Sequence, residues 1–223
     1  MRKTMKVSRR QFLIGAGVSG VALSGLGGLG YWATRQPALE FIERQYGPAT
    51  AGETVLVAYA SQYGSTSGLA DVIAQGLHRA GTPTEVRRVE HVTDLTPYRA
   101  VIIGAPIISD EWMPAAVSFV EQHRATLAAL PTAYFLTCMT LALSQDEAQR
   151  AGPVKVLEAV QARIPEVRPV ERGLFAGALD YSKMAPAMQQ LYRLFSENDT
   201  AGDFRDFRTV SAWADAVRPR LLA

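Results

Sequence analysis

Beyond residue 54, apolar positions form short continuous runs that alternate with longer segments in which apolar residues recur at helical spacing. The short runs predict five strands, at residues 55–60, 84–89, 100–105, 132–138 and 167–176. The first and third runs hold almost no polar residue, which is typical of strands buried on both faces of a parallel sheet. The spaced segments predict helices at residues 66–79, 114–127, 145–164 and 210–222.

This alternation predicts a doubly wound α/β domain over residues 54–223. Parallel crossovers are right-handed, which leaves two common strand orders, and the order 2-1-3-4-5 suits five strands. Gly81 is expected to end the first helix in a left-handed conformation, and Pro114 to occupy the first turn of the second. Residues 37–53 are predicted to be a linker with a short helix within residues 37–47.

The first 36 residues have a different pattern. Residues 1–11 are basic and polar, and residues 12–33 form an uncharged stretch of 22 residues, long enough to span a bilayer. Seven glycines make this stretch only mildly hydrophobic. We therefore expect residues 1–36 to be an export signal or a membrane anchor, with membrane association through residues 12–33.

The sequence Ser8-Arg9-Arg10-Gln11-Phe12-Leu13 resembles the twin-arginine translocation signal S-R-R-x-F-L at every fixed position. The resemblance implies a folded protein exported by the twin-arginine translocase to the periplasm or the outer face of the cytoplasmic membrane. Ala49-Thr50-Ala51 is a small-x-small cleavage candidate, whereas Tyr31 and Trp32 suit a membrane interface. Cleavage of the leader and its retention as an anchor are both open.

Charge is unevenly distributed along the chain, and this excludes one class of partner. Six of the 23 basic residues and none of the 21 acidic residues lie in residues 1–35, so the remainder has 17 basic and 21 acidic residues, a net charge of −4. A body without a basic excess is not expected to bind nucleic acid. The single cysteine, Cys138, excludes an intrachain disulfide and a cysteine metal site, and the three histidines lack ligand spacing.

The first predicted strand runs directly into a polar loop that ends where a helix is predicted to begin. The loop consists of Ser61, Gln62, Tyr63, Gly64, Ser65 and Thr66. Free N–H groups and the positive dipole end at a helix start favour a phosphate there. The loop has no lysine, unlike a nucleoside-triphosphate loop, and no dinucleotide G-x-G-x-x-G. It fits a single terminal phosphate held by neutral donors, as in FMN, or it only caps the helix.

The order S-x-x-G-x-T after the first strand is similar to the T-x-T-G-x-T phosphate loop of flavodoxins, with Tyr63 where flavodoxins usually have threonine. The resemblance implies a flavodoxin-like fold with FMN as cofactor. It also implies that the isoalloxazine ring lies between the loops after the third and fourth strands. The ring contacts expected from it are Pro106, Ile107 and Ile108 on one side and Thr137, Cys138 and Met139 on the other.

Four residues near the expected ring have open or limited roles. Trp112 either stacks on the flavin or packs in the core. Cys138 is expected to be a small buried apolar residue rather than a redox thiol, because no second cysteine is present to resolve it. The backbone N–H groups of Thr137 and Met139 are expected to donate to the flavin, and such donors tune its reduction potential.

A closer resemblance rests on the order of several short motifs. G-A-x-I stands at residues 104–107, A-G-A-L-x-Y at residues 176–181, an amphipathic segment at residues 184–195, Asp199-Thr200 after it, and Trp213 in the last predicted helix. This order resembles the menaquinone-dependent protoporphyrinogen IX dehydrogenase family from about residue 54 to the end. It implies that residues 184–195 contact quinone or porphyrin partners at a membrane; ordinary packing of an amphipathic helix is the alternative.

Two functions follow as expectations. The first is an FMN-dependent oxidoreductase of the protoporphyrinogen or quinone dehydrogenase type, in which the flavin does the redox chemistry on a quinone or tetrapyrrole-like substrate. The second is a flavodoxin-like electron-transfer protein without its own substrate, which needs a redox protein as partner. A membrane-tethered structural domain with an empty site is a third reading.

Overall fold

The computed structural model describes residues 34–195 and 201–223, and the chain divides into two compact units. The larger unit contains residues 40–179 and 202–223, and the described residues of the smaller unit are 34–39, 180–195 and 201. The twin-arginine motif and the apolar stretch at residues 12–33 lie outside the described residues. Within the described ranges, no helix is long and apolar enough to cross a membrane.

The larger unit is built on a mainly parallel sheet. Its strands are β1 (Arg44–Tyr46), β2 (Thr54–Tyr59), β3 (Thr84–Arg88), β4 (Tyr98–Ile108), β5 (Glu111–Trp112), β6 (Thr132–Cys138) and β7 (Glu171–Ala176), with β8 (Ala178–Leu179) and β9 (Gly202–Asp203) forming a separate ribbon. The order in the sheet is β1-β3-β2-β4-β6-β7, and β5 pairs with β4. The parallel strands β3, β2, β4, β6 and β7 therefore confirm the predicted order 2-1-3-4-5.

Helices cover both faces of this sheet. They are α1 (Ser65–Arg79), α2 (Pro114–Gln122), α3 (Arg124–Ala129), α4 (Thr140–Leu143), α5 (Glu147–Arg150), α6 (Gly152–Arg163) and α8 (Phe207–Leu222), while α7 (Pro186–Phe195) belongs to the smaller unit. Alternate residues of β2 enter different cores: Val55, Val57 and Tyr59 pack with α1 and α8, and Leu56 and Ala58 with α2 and α6. Because β2 is buried on both faces, all of its positions are apolar or small.

Both predicted helix ends are confirmed. The N–H of Gly81 donates to His78 and that of Thr82 to Leu77, with Gly81 at φ +84°, so the chain leaves α1 through a left-handed residue. Pro114 stands in the first turn of α2, where its missing N–H costs nothing.

The segment before β2 contains a strand instead of the short helix expected there. Residues 40–53 belong to the larger unit, and the short helix expected within residues 37–47 is wrong because Arg44–Tyr46 is an edge strand antiparallel to β3. The Tyr46 hydroxyl donates to the Asp71 carboxylate on α1 at 2.6 Å, which holds this strand against the domain. A three-residue strand is too short to show an alternating pattern in the sequence. Residues 180–201, predicted as part of the domain 54–223, group with the smaller unit.

Other observed helix and strand boundaries differ from the predicted ones, in two cases next to a proline. The helix predicted at residues 114–127 is two helices separated by His123, and that at residues 145–164 is α5 followed by α6. Pro153 lies in the first turn of α6, where a proline is accepted but could not continue a preceding helix. Strand β7 begins only at Glu171, two residues after Pro169, which has no N–H to donate to a ladder.

The smaller unit is described from residues 34–39, 180–195 and 201. Its helix α7 follows a short 3₁₀ turn at Tyr181–Lys183, and it confirms the helix expected within residues 184–195. The Tyr181 and Tyr192 rings lie 6.4 Å apart, and the Arg193 guanidinium lies 5.8 Å from the Tyr181 ring centre. The turn and the helix are therefore joined by ring contacts.

Gly104 of β4, opposite Phe135 of β6, has less room for a side chain than any other glycine in the described residues. A Cβ placed on Gly104 would stand 1.9 Å from the Phe135 ring, so any side chain there displaces the ring from its site. We expect Gly104→Ala to lower the free energy of unfolding by about 3 kcal/mol through overpacking. Urea unfolding followed by circular dichroism measures this change.

The matched control is the double variant Gly104→Ala/Phe135→Leu, which removes the ring that meets the added methyl group. It should be more stable than Gly104→Ala alone, although the core loses an aromatic side chain. A single variant as stable as the wild type would contradict the packing described for β4 and β6.

Candidate functional site

The parallel strands place three polar loops at one edge of the sheet. Strand β2 lies between β3 and β4, so the crossovers on its two sides run in opposite directions. In open α/β sheets, ligands bind beyond the carboxyl ends of the strands at such a point, here β2 and β4. The first loop follows β2, the second follows β4, and the third follows β6. The first loop contains candidate residues from the sequence, whereas the other candidates lie at the ends of β4 and β6, beside the second and third loops.

The loop after β2 turns into α1 through Gly64. Gly64 has φ +82° and ψ −8°, a left-handed conformation that strains any residue with a Cβ. Its N–H donates to Ser61 Oγ at 3.0 Å, and its carbonyl accepts from the Ser67 hydroxyl at 2.6 Å. The Ser67 hydroxyl thus holds the turn, while the Ser61 hydroxyl still has a proton to donate.

Segment 40–43 lies in front of this loop. The Glu40 carbonyl oxygen is 3.0 Å from the position of a Cβ on Gly64, and the Tyr59 hydroxyl donates to the Ile42 carbonyl at 3.0 Å. Burial raises the pKa of Tyr59 far above its usual range, so this hydroxyl stays protonated as a donor. Gly64 is therefore required both by its conformation and by the close approach of the backbone.

Thr66 has a buried hydroxyl that helix capping does not explain. Its side chain is fully buried in the first turn of α1, yet its Oγ1 has no hydrogen-bond partner among the described residues. The N–H groups of Ser65 and Thr66 stand at the first positions of the helix, where no intrahelical acceptor exists. A buried hydroxyl without a partner costs about 1–3 kcal/mol, so an acceptor supplied there would be strongly favoured.

The remaining loop residues differ in exposure. Gln62 is exposed, and Tyr63, Gly64 and Ser65 are half-buried. The loop therefore offers both a solvent-facing side and the buried donors of its inner side. A terminal phosphate fits this donor set: two helix N–H groups, the Ser61 and Thr66 hydroxyls, and a glycine that lets the backbone approach.

The candidates expected in a loop after the third predicted strand lie in a β-hairpin instead. Strand β4 continues through Pro106, Ile107 and Ile108 and folds back on β5, with Ile107 opposite Trp112. The hairpin turn is formed by Ser109 and Asp110, at φ 54° and 62°. Two left-handed residues in succession suit a two-residue hairpin, although glycine or asparagine usually occupies it. Pro106, Ile107 and Ile108 are half-buried near the sheet edge.

Trp112 packs in the core rather than standing free to stack on a flavin, the two roles that the sequence left open. It is 1% exposed, its ring centre lies 5.1 Å from that of Tyr134, and its indole N–H donates to the Ala105 carbonyl at 3.2 Å. The indole ring is therefore packed against Tyr134, and its N–H already has an acceptor. Pairing of Trp112 with Ile107 in the hairpin directs it inward.

The three candidates at the end of β6, Thr137, Cys138 and Met139, differ in their positions. Thr137 lies within β6, which is paired on both sides, and is 3% exposed, whereas Met139 is the first residue beyond the strand. Met139 is thus better placed than Thr137 to offer a backbone N–H at the edge. Burial raises the pKa of the Cys138 thiol, which keeps it protonated at neutral pH and agrees with an unreactive residue.

Arg205 is a residue of this site that the sequence did not indicate. Its Nη1 donates to the Ser65 carbonyl at 2.9 Å, although the two residues are 140 positions apart. Within the sequence, Arg205 is one of many arginines outside the loop, and no local motif connects it with α1. Only the return of the chain through β9 brings it to the phosphate loop.

Comparison with known proteins gives the family. The family model described as "Flavodoxin domain" matches residues 56–204, about two thirds of the chain. The chain belongs to the flavodoxin domain family. No curated protein sequence matches it.

Solved structures similar to this flavodoxin domain include a flavodoxin from the domain Archaea, with 14% identity and a TM-score of 0.48, covering 76% of this chain and 99% of that one. Oxidised Flavodoxin 2 from Bacillus cereus has 18% identity and a TM-score of 0.45, with 75% and 99% covered. A Fusobacterium nucleatum flavodoxin mutant bound to flavin mononucleotide has 12% identity and a TM-score of 0.41, with 78% and 99% covered.

Two glycines with the same backbone conformation allow a controlled test of the loop. Gly64→Ala and Gly81→Ala both place a Cβ at φ above +80°, but only Gly64 has a neighbouring atom, the Glu40 carbonyl, within 4 Å. We expect each variant to lose about 1 kcal/mol of unfolding free energy from the left-handed strain. Gly64→Ala should lose more, because its Cβ also displaces segment 40–43. Urea unfolding of both variants measures the difference, and equal losses would contradict the packing of that segment on the loop.

Proposed function

We propose that this flavodoxin domain binds FMN, with the terminal phosphate in the loop of residues 61–66. The observation that carries the proposal is the Thr66 hydroxyl, buried at the start of α1 without a partner among the described residues. A phosphate oxygen is the acceptor that this hydroxyl lacks. Helix capping alone does not account for it, because a capping side chain has its hydrogen bond to the backbone.

Each loop has a distinct part in holding the cofactor. The N–H groups of Ser65 and Thr66 and the hydroxyls of Ser61 and Thr66 bind the phosphate, and Gly64 keeps the backbone close. Pro106, Ile107 and Ile108 line one side of the ring, and the Met139 N–H donates to its polar edge. FMN, when bound, supplies hydride or single-electron transfer, so the protein needs no acid or base of its own.

We further propose that the protein is an FMN-dependent oxidoreductase whose partner is a quinone or a tetrapyrrole-like substrate. The support is the order of motifs that resembles the menaquinone-dependent protoporphyrinogen IX dehydrogenase family. Helix α7 lies within the segment of that order associated with such partners, and Arg193 is the only charged residue in residues 184–195. A helix this low in charge suits an apolar partner.

Export in the folded state completes the proposal. The support is the S-R-R-Q-F-L sequence at residues 8–13, since the twin-arginine route carries folded proteins. Cofactor loading then precedes translocation, and the protein works in the periplasm or on the outer face of the membrane. Cell fractionation of the wild type and of Arg9→Lys/Arg10→Lys tests the route, and mass spectrometry of the mature N-terminus tests retention of the leader.

Thr66→Val tests the phosphate site through two effects of opposite sign. Valine has nearly the shape of threonine but no hydroxyl, so the cofactor-free variant should gain about 1 kcal/mol of unfolding free energy. The same variant should bind FMN about 10-fold more weakly, because the phosphate loses a donor. Urea unfolding of the apoprotein and fluorescence titration with FMN measure the two changes.

Thr66→Ser is the matched control, because it keeps the hydroxyl and should retain FMN affinity within about threefold. A purified wild-type protein that is colourless and takes up no added FMN would defeat the proposed function. Unchanged FMN affinity in Thr66→Val would contradict binding of the phosphate by this loop.

Oxidoreductase and electron carrier are separated by turnover. The FMN-loaded protein, reduced chemically under anaerobic conditions, should be reoxidised by a soluble naphthoquinone in repeated cycles when reductant is in excess. Absorbance of the flavin at each cycle measures this. A protein that is reoxidised only by a redox protein is an electron carrier without its own substrate.

A further inference from the structure

Arg205 is held in a defined position beside the phosphate loop. Its Nε and Nη2 donate to the two carboxylate oxygens of Asp203 at 2.8 and 2.6 Å, and its Nη1 donates to the Ser65 carbonyl at 2.9 Å. The side chain is 19% exposed. A guanidinium bound to a carboxylate by two parallel hydrogen bonds is fixed in orientation as well as in charge.

The surrounding residues leave room for this arrangement. A Cβ on Gly68 would lie 2.8 Å from Arg205 Nη1, so glycine at this position of α1 admits the guanidinium against the helix. On the other side the Phe207 ring centre lies 5.0 Å from the Arg205 guanidinium carbon. Arg205 is thus packed between the first turn of α1 and the start of α8.

We propose that Arg205 is a positioning residue that holds the first turn of α1 in the geometry that binds the flavin phosphate. This inference rests on the proposed function. The Ser65 carbonyl belongs to the same turn as the N–H groups of Ser65 and Thr66, so fixing the carbonyl fixes the direction of these donors. The consequence is selectivity for the phosphorylated flavin, FMN, over riboflavin, which has no phosphate to use them.

Arg205 favours FMN binding more through the geometry that it gives the turn than through its charge. Asp203 neutralises the charge of Arg205 at close range, so the pair adds little net positive potential to the loop. Lysine cannot replace the arginine, because one ammonium group does not reproduce a planar fork that binds a carboxylate and a carbonyl together. Arg205→Lys should therefore behave like a loss of the contact, although it conserves the charge.

The test compares two ligands on one protein. Cofactor-free wild type, Arg205→Met and Arg205→Lys are titrated with FMN and with riboflavin, and flavin fluorescence gives the dissociation constants. We expect Arg205→Met to weaken FMN binding about 10-fold and to leave riboflavin binding within about twofold. Arg205→Lys should show most of the same loss.

Gly68→Ala provides an independent route to the same result. The added methyl group displaces the guanidinium without removing it, while alanine stabilises a helix by about 1 kcal/mol relative to glycine. The variant should therefore unfold no more easily than the wild type and still lose FMN selectively. Adding Gly68→Ala to Arg205→Met should produce no further loss, because the contact is already absent.

Arg220→Met is the matched control. Arg220 pairs with Glu171 at the first residue of β7, and Glu171 therefore lies at the end of the sheet opposite the loops. This variant should keep the FMN-to-riboflavin ratio of the wild type.

The possible outcomes separate the two proposals. A wild type that binds neither flavin defeats the proposed function and this inference with it. FMN binding in the wild type with an unchanged ratio in Arg205→Met overturns only the inference. Equal weakening of FMN and riboflavin in Arg205→Met also overturns it, because that is the result of a general structural role.

Discussion

The burial of β2 between β3 and β4 is the constraint on which the site depends. Every residue of this strand is buried, with alternate side chains in the cores on the two faces of the sheet. A strand fixed in this way delivers the loop after it to a constant place at the carboxyl edge. Its two neighbours are reached by crossovers in opposite directions, so the same strand creates the crevice in which a ligand of this fold lies.

Loop and sheet therefore have different requirements. The sheet needs close packing, as at Gly104, where the Phe135 ring occupies the space of a side chain. The loop needs donors left free for a ligand, whereas buried side-chain donors without a partner are few in the described part of the chain: Thr66 Oγ1, Arg88 Nε, Tyr181 Oη and Trp213 Nε1. Thr66 lies where the two meet: its side chain is buried like a core residue, and its hydroxyl is left without an acceptor in the described part of the chain.

Sequence patterns predicted the elements whose signal is local. The handedness of crossovers left two common strand orders, of which 2-1-3-4-5 suited the five apolar runs, and the loop at residues 61–66 was predicted from its position after a buried strand. The edge strand Arg44–Tyr46 was missed because it is held by a distant partner, the Asp71 carboxylate. Trp112 was ambiguous because its hydrogen bond to the Ala105 carbonyl depends on a hairpin that lacks glycine and asparagine. Arg205 depends on a contact across 140 residues, which no sequence window contains.

If the proposed function holds, the unpaired Thr66 hydroxyl links FMN binding to export, because FMN binding stabilises the folded state. A ligand that binds only the folded state adds RT ln(1 + [L]/Kd) to stability, about 2.7 kcal/mol at a free concentration of 100 times Kd. FMN bound at Thr66 would add this term, and its Kd already includes the relief of the unpaired buried donor. On the proposed export route, this stabilisation is available in the cytoplasm, where the protein folds with FMN before translocation. The proposed leader for folded cargo and a loop completed by its ligand would then select the same state of the protein: the folded domain with cofactor bound.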